Sequence, residues 1–266
     1  MSPLTTHEIL RISLVQTDIV WEDIAANRAR LSTQLAQFHE QTDILILPEM
    51  FTTGFSMAPE QLAETMRGET VQWMQAQAAA HQCLVMGSLI IHENDNYYNR
   101  LLVMSATGCV MQYNKRHLFR MANEHHHYSK GMQREIITVK GWRICPLICY
   151  DLRFPVWSRN NNDYDLLIYI ANWPESRRFA WQTLAAARAI ENQSYVATVN
   201  RVGRDGHHVR YGGDSAVYHP QGQVLSIIKG NEICIDTVEL SMPILEKLRR
   251  AFPVSCDADE FALLTN

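Results

Sequence analysis

A chain of 266 residues, 47% hydrophobic and 20% charged, has the balance of an ordinary globular protein and can bury a sizeable core, most simply as one domain. Its 24 basic and 28 acidic residues give a net charge of −4 with no long single-sign block, so neither nucleic acid nor an anionic membrane is implied as a partner, and small neutral or anionic substrates stay open. No unbroken apolar run approaches the roughly 18 residues of a membrane span, no signal segment opens the chain, and six cysteines without CxxC spacing read as reduced thiols, so a cytoplasmic location is expected.

Glu8 to Gln16 reads as a strand, and Trp21 to His39 as a helix with Ile24, Leu31, Leu35 and Phe38 on one face. Asp43 to Pro48 is a short, wholly apolar strand stopped by proline, the pattern of burial on both sides, with Glu49 directly after it. A loop containing Gly54 leads to a helix over Val71 to His81 and a strand over Cys83 to His92. The turn Glu93 to Asn96 precedes the strand Asn99 to Ser105, and Thr107-Gly108 reverses the chain into Val110 to Tyr113. From Asn114 to Gln133 the chain is polar, His-rich and aperiodic, which predicts a functional loop.

Two further strands, Glu135 to Lys140 and Trp142 to Ile148, lead to Cys149. Asp165 to Ile170 is another buried strand. Arg178 to Asn192 is a helix predicted to turn Leu184, Ala187 and Ile190 inward, and Tyr195 to Asn200 returns as strand. Arg201 to Gly213 is a Gly- and His-rich loop, Asp214 to His219 and Gln223 to Ile228 form a hairpin, Glu232 to Val238 adds a strand and Met242 to Phe252 a helix. An acidic tail begins at Pro253. Strands interleaved with helices indicate an α/β class, and the hairpins argue against a purely parallel sheet.

Three reactive side chains stand at strand ends: Glu49, Lys115 and Cys149. A lone cysteine is most often a packed core residue, so a functional reading of Cys149 rests on its companions. Strand ends on one side of a sheet converge in space, which lets distant residues meet. A shielded carboxylate can take the thiol proton and later hand one to a leaving amine. An ammonium beside sulfur favours thiolate and can stabilise an oxyanion, for which the backbone N–H of Tyr150 is the natural second donor.

Leu47-Pro48-Glu49-Met50-Phe51, Tyr113-Asn114-Lys115-Arg116-His117-Leu118-Phe119 and Ile148-Cys149-Tyr150-Asp151-Leu152-Arg153-Phe154-Pro155 resemble the three signature segments of the nitrilase superfamily of carbon–nitrogen hydrolases. They stand in that family's order and spacing, and the resemblance runs from about Leu10 to Leu240. It implies that Glu49 is general base and acid, Lys115 the oxyanion lysine, Cys149 the nucleophile, and Glu124 a second glutamate near the lysine. A solvated loop acid is the competing reading of Glu124. The resemblance further implies a four-layer α-β-β-α sandwich over residues 1–266, with a core of about 8–240 and a C-terminal helix and tail over 241–266. A homodimer is implied, with no cofactor and no metal.

Within the superfamily, Asp151-Leu152-Arg153-Phe154-Pro155, Ala171-Asn172-Trp173-Pro174 and Ala189-Ile190-Glu191-Asn192-Gln193 are most similar to the omega-amidase branch. Those enzymes hydrolyse the terminal amide of dicarboxylic monoamides such as α-ketoglutaramate to acid and ammonia. Related branches act on other small amides or N-carbamoyl compounds, and a catalytically silent binding protein of the same fold is a further alternative. A substrate carboxylate calls for a guanidinium, for which Arg153, Arg177 and Arg178 are candidates. Their competing fates are a structural ion pair for Arg153 and a surface role for Arg177 and Arg178. Trp173 and Phe55 are candidate pocket walls, although an aromatic there is more often simple core.

Three other signals carry less. Consecutive residues His125, His126 and His127 diverge in an extended loop, and Cys145 stands four residues before Cys149, about 13 Å along a strand, so neither suggests a metal centre. Gly203-Arg204-Asp205-Gly206 lacks the strand-to-helix context of a phosphate loop. A Cys–His hydrolase using His117, His125 or His127 as base is the alternative mechanism.

Overall fold

The computed structural model describes residues 8–226 and 228–263. In chain order the elements are β1 (Ile9–Gln16), α1 (Ile24–Ala36), β2 (Ile44–Ile46), α2 (Pro59–Leu62), α3 (Glu69–His81), β3 (Leu84–Glu93), β4 (Asn96–Ser105), β5 (Gly108–Asn114), α4 (Glu124–His127), β6 (Ile137–Val139) and β7 (Trp142–Ile148). There follow α5 (Pro155–Ser158), β8 (Leu166–Ala171), α6 (Arg178–Asn192), β9 (Tyr195–Asn200), β10 (Val202–Arg204), β11 (Arg210–Gly212), β12 (Ala216–Tyr218), β13 (Cys234–Ser241) and α7 (Met242–Ala251).

The strands form a six-stranded sheet in the order β13-β1-β2-β3-β4-β5, a five-stranded sheet in the order β12-β9-β8-β7-β6, and the small β10–β11 hairpin. Each large sheet has a parallel centre, β1-β2-β3 in one and β7-β8-β9 in the other, flanked by antiparallel strands. Strand alternation sorts the side chains into layers. Leu45, Leu47, Val85, Leu102 and Met104 pack with Leu31 and Leu35 of α1 and Met74 and Ala78 of α3. Their neighbours Ile44, Ile46, Met86, Leu101 and Val103 join the cluster of the second sheet and Trp181, Ala185 and Ala189 of α6. The result is the expected α-β-β-α sandwich. Its β2 is apolar on every residue because both faces are covered. No helix among the described residues is long and apolar enough to cross a membrane.

Several local expectations change. The turn after β3 is tighter than predicted, with Asn94 and Asp95 both at positive φ (50° and 58°), as a two-residue hairpin turn requires, so β4 begins at Asn96. The stretch read as loop after Asn114 holds a 3₁₀ turn at Arg120–Ala122 and the single turn of α4. Arg201 to Gly213 contains the β10–β11 hairpin. Past β12 only the Tyr218–Val224 bridge is paired, so the second predicted hairpin strand does not form there, and its Ile227 lies outside the described residues. The predicted tail includes a 3₁₀ turn at Val254–Asp257, and its residues 264–266 also lie outside.

The inward face of α6 differs in part from the expectation: Leu184 packs against the core and Ala187 is half-buried, but Ile190 is 54% exposed, and the fully buried positions are Trp181, Ala185, Arg188, Ala189 and Asn192. Arg188 is buried because its Nη2 donates to Leu152 O (2.7 Å) and Nη1 to Glu191 (2.9 Å), and Asn192 because its Oδ1 accepts from Asn160 N (2.9 Å). Hydropathy puts such side chains outside; specific partners bring them in.

Candidate active site

The C-terminal ends of the central strands β2, β7 and β8 and of the edge strand β5 bring the site together. Pro48 ends the apolar run after β2, so Glu49 leaves the sheet at its C-terminal edge, while Met50 adopts φ 42° and its N–H donates to Ser88 Oγ (2.9 Å). Lys115 follows β5 directly, Cys149 follows β7, and Asn172 follows β8. Cys149 opens a 3₁₀ turn, Cys149–Arg153, with φ at 45°, an uncommon conformation for a side-chain-bearing residue that is typical of functional turns.

Glu49, Lys115 and Glu124 are buried together. Lys115 Nζ lies 2.9 Å from Glu49 Oε1 and 2.9 and 3.0 Å from the two oxygens of Glu124. Glu49 Oε1 also accepts from Asn99 Nδ2 (2.8 Å), and Oε2 from the Asn172 N–H (2.8 Å). The Phe119 N–H donates to Glu124 Oε2 (2.5 Å). Glu124 is thus no solvated loop acid; α4 turns it into the protein.

The charges follow from this packing. Burial opposes the charge on Lys115, but Glu124 first and then Glu49 outweigh it and hold the ammonium above the ordinary lysine range. Burial pushes the Glu124 carboxyl up, and Lys115 opposes the rise. Burial, then the negative charge of Glu49, pushes the Cys149 thiol well above its ordinary value, with Lys115 acting in the other direction. Burial and the Glu49 charge thus favour the thiol over the thiolate, and Lys115 favours the thiolate. Cys145 is buried in β7 with its thiol pushed up to about 12 by burial, which makes it inert.

Lys115, Cys149 and Tyr150 border a cavity of about 440 Å³, with Glu49 in the wall behind them. Phe55 and Trp173 line it, as predicted, and Phe55 places its ring 4.9 Å from Lys115 Nζ. Arg153 and Arg177 line it too. The first lies 5.0 Å over the Trp173 ring and the second 5.4 Å over Phe119, and neither is ion-paired to a carboxylate among the described residues. Arg178 does not line the cavity. It pairs with Asp214 at 2.5 Å, which corrects its candidacy as a substrate ligand.

None of His117, His125 and His127 lines the cavity. His117 is 2.8 Å from Asp151 through Nδ1 and stacks on Phe154 at 3.7 Å, so the geometry does not support the Cys–His alternative. Three polar residues around the site escaped the sequence reading. Asn99 and Asn172 fix Glu49, and Asp151 accepts from Tyr113, Ile148 and His117. The available signal for Asn99 was a polar residue adjoining an apolar strand run, and for Asp151 a carboxylate two residues from the thiol.

The fold and the clustered side chains define a class, the four-layer hydrolases of the nitrilase superfamily. The structure matches that of XC1258 from Xanthomonas campestris, described as a CN-hydrolase superfamily protein with an arsenic adduct in the active site, at a TM-score of 0.93 and 44% identity, covering 97% of this chain and 100% of that one. Residues 11–249 match the carbon-nitrogen hydrolase family, and the chain belongs to that family. It is 48% identical over 256 residues to omega-amidase YafV of Escherichia coli (strain K12), covering 96% of this chain and 98% of that relative. It is 32% identical over 251 residues to the 2-oxoglutaramate amidase of Bacillus subtilis (strain 168), covering 92% and 96%.

Proposed function

We propose that the protein is a thiol amidohydrolase of the omega-amidase kind, cleaving the terminal amide of small dicarboxylic monoamides, α-ketoglutaramate among them, to the acid and ammonia. The observation that carries this reading is one cavity bordered by a thiol, an ammonium and two guanidinium groups that have no carboxylate partner among the described residues. The kinship with omega-amidase YafV and a 2-oxoglutaramate amidase supports the same substrate class.

In the proposed mechanism Glu49 takes the Cys149 proton as sulfur attacks the amide carbon, while Lys115 Nζ and the Tyr150 N–H hold the oxyanion. Glu49 passes the proton to nitrogen and ammonia leaves, giving a thioester. Water, deprotonated by Glu49, attacks the thioester, and the sulfur leaves with that proton as the acid is released. The sulfur starts and ends as thiol, which agrees with its raised pKa. Glu124 keeps Lys115 charged throughout.

The test is ammonia release from a panel of α-ketoglutaramate, glutamine, asparagine, simple nitriles and carbamoyl compounds. Dicarboxylic monoamides should give the highest kcat/KM; dominance by an uncharged amide, a nitrile or a carbamoyl compound would overturn the assignment. Within that panel, Arg153→Met or Arg177→Met should raise KM for the monoamide by about 10- to 100-fold, the worth of a charge-assisted carboxylate contact. Turnover of an uncharged amide should stay within about threefold, because only the carboxylate contact is lost.

A homodimer is also proposed. Phe179 (80% exposed) and Ile190 (54%) lie three turns apart on one face of α6, two exposed apolar side chains that a second copy would cover. Sedimentation should report twice the chain mass of 30.6 kDa, falling to the single mass in Ile190→Glu; a monomeric wild type would contradict it. Six unpaired cysteines support a cytoplasmic location.

A further inference from the structure

Asp151 is fully buried, is not in the cavity wall, and takes no part in the proton transfers described above. Its two oxygens nonetheless join the segments that carry Cys149 and Lys115. Oδ2 accepts from the Ile148 N–H (3.0 Å), next to the nucleophile, and from the hydroxyl of Tyr113 (2.8 Å), two residues before the lysine. Oδ1 accepts from the His117 N–H (3.0 Å) and from His117 Nδ1 (2.8 Å), two residues after it. The Tyr113 oxygen is itself fixed by donors from Trp157 Nε1 (3.0 Å) and the Arg116 N–H (3.2 Å).

We infer that Asp151 is the positioning residue that sets the distance and angle between the sulfur and the oxyanion donors. It folds back on its own turn and so stabilises the positive φ of Cys149, which aims the Tyr150 N–H. The same carboxylate grips both flanks of Lys115, so nucleophile and ammonium cannot shift independently. A buried carboxylate satisfied by four donors is rigid, and preorganised oxyanion donors lose effect steeply when displaced. This inference rests on the thiol mechanism proposed above.

The separating comparison is between two reactions of the same sulfur. Amide turnover builds an oxyanion; alkylation by iodoacetamide does not. Both are measured on Asp151→Asn, Tyr113→Phe and His117→Gln, with kcat taken per folded enzyme and alkylation read on the peptide that holds Cys149, because Cys109 and Cys256 are exposed thiols as well. The substrate is whichever panel amide the wild type hydrolyses fastest, so an error in the proposed substrate shows in the wild type alone. For Asp151→Asn, kcat should fall about 100-fold with KM within about threefold, while alkylation changes less than about threefold. The milder Tyr113→Phe and His117→Gln should each lower kcat about 3- to 10-fold with the same split, and they carry the test if Asp151→Asn does not fold. Equal losses in both reactions, or an unchanged kcat per folded enzyme across the three variants, would overturn the inference.

Discussion

Cys149→Ala should release no measurable ammonia, a loss on the order of 10⁴-fold or more, because no other side chain can form the covalent intermediate. Cys145 cannot substitute, being buried in β7 with its thiol held near 12. The fold should survive. Removing one sulfur from a half-buried turn residue costs on the order of 1 kcal/mol, and the contacts that shape the turn belong to Asp151 and Arg188, not to the thiol. Thermal melting measured alongside ammonia release checks both halves, and a folded Cys149→Ala enzyme that retained wild-type turnover would end the nucleophile assignment.

Glu49→Gln should cost about 10³- to 10⁴-fold, since the group is used as acid and base in both halves of the reaction. Stability should also fall by about 1–3 kcal/mol, the cost of an unsatisfied buried polar group. Glu49 accepts on both oxygens, from Lys115 and Asn99 on one and from the Asn172 N–H on the other, and a carboxamide must turn its NH₂ toward one of those donors. The pH behaviour of the sulfur gives a signed test. Burial first and the Glu49 charge second raise the Cys149 thiol pKa, and Lys115 lowers it. Removing the Glu49 charge while Lys115 remains must bring the thiol down. The thiolate absorbance should therefore appear at lower pH in Glu49→Gln than in wild type. An unchanged or higher midpoint would show that Glu49 does not face the sulfur.

Glu49 and Cys149 were legible because each follows an apolar run that stops abruptly, at Pro48 or Ile148, and a run buried on both faces places its end at the sheet edge; Lys115 follows β5, a largely exposed edge strand, and was legible from its motif. The layers were legible only through the resemblance to the family, because β2 is apolar on every residue and β4 is buried along most of its length, so neither alternates in a way that assigns its faces. What could not be read was partnership. Asn99, Asn172 and Asp151 act through hydrogen bonds to side chains dozens of residues away or to backbone N–H groups, and neither kind of partner carries a sequence signature. The same blindness misdirected α6, where Arg188 and Asn192 are buried by partners that periodicity does not register. Choosing among Arg153, Arg177 and Arg178 needed the direction of each side chain, and composition near a helix start does not supply it.

The central claim is that an acyl group passes through the sulfur of Cys149. Acid quenching of the enzyme during turnover of the favoured monoamide, followed by mass analysis of the intact chain and its peptides, tests it most directly. The account predicts an adduct equal to the substrate less ammonia, confined to the peptide containing Cys149 and missing from Cys149→Ala. An adduct on any other peptide, or one that persists in Cys149→Ala, would contradict it.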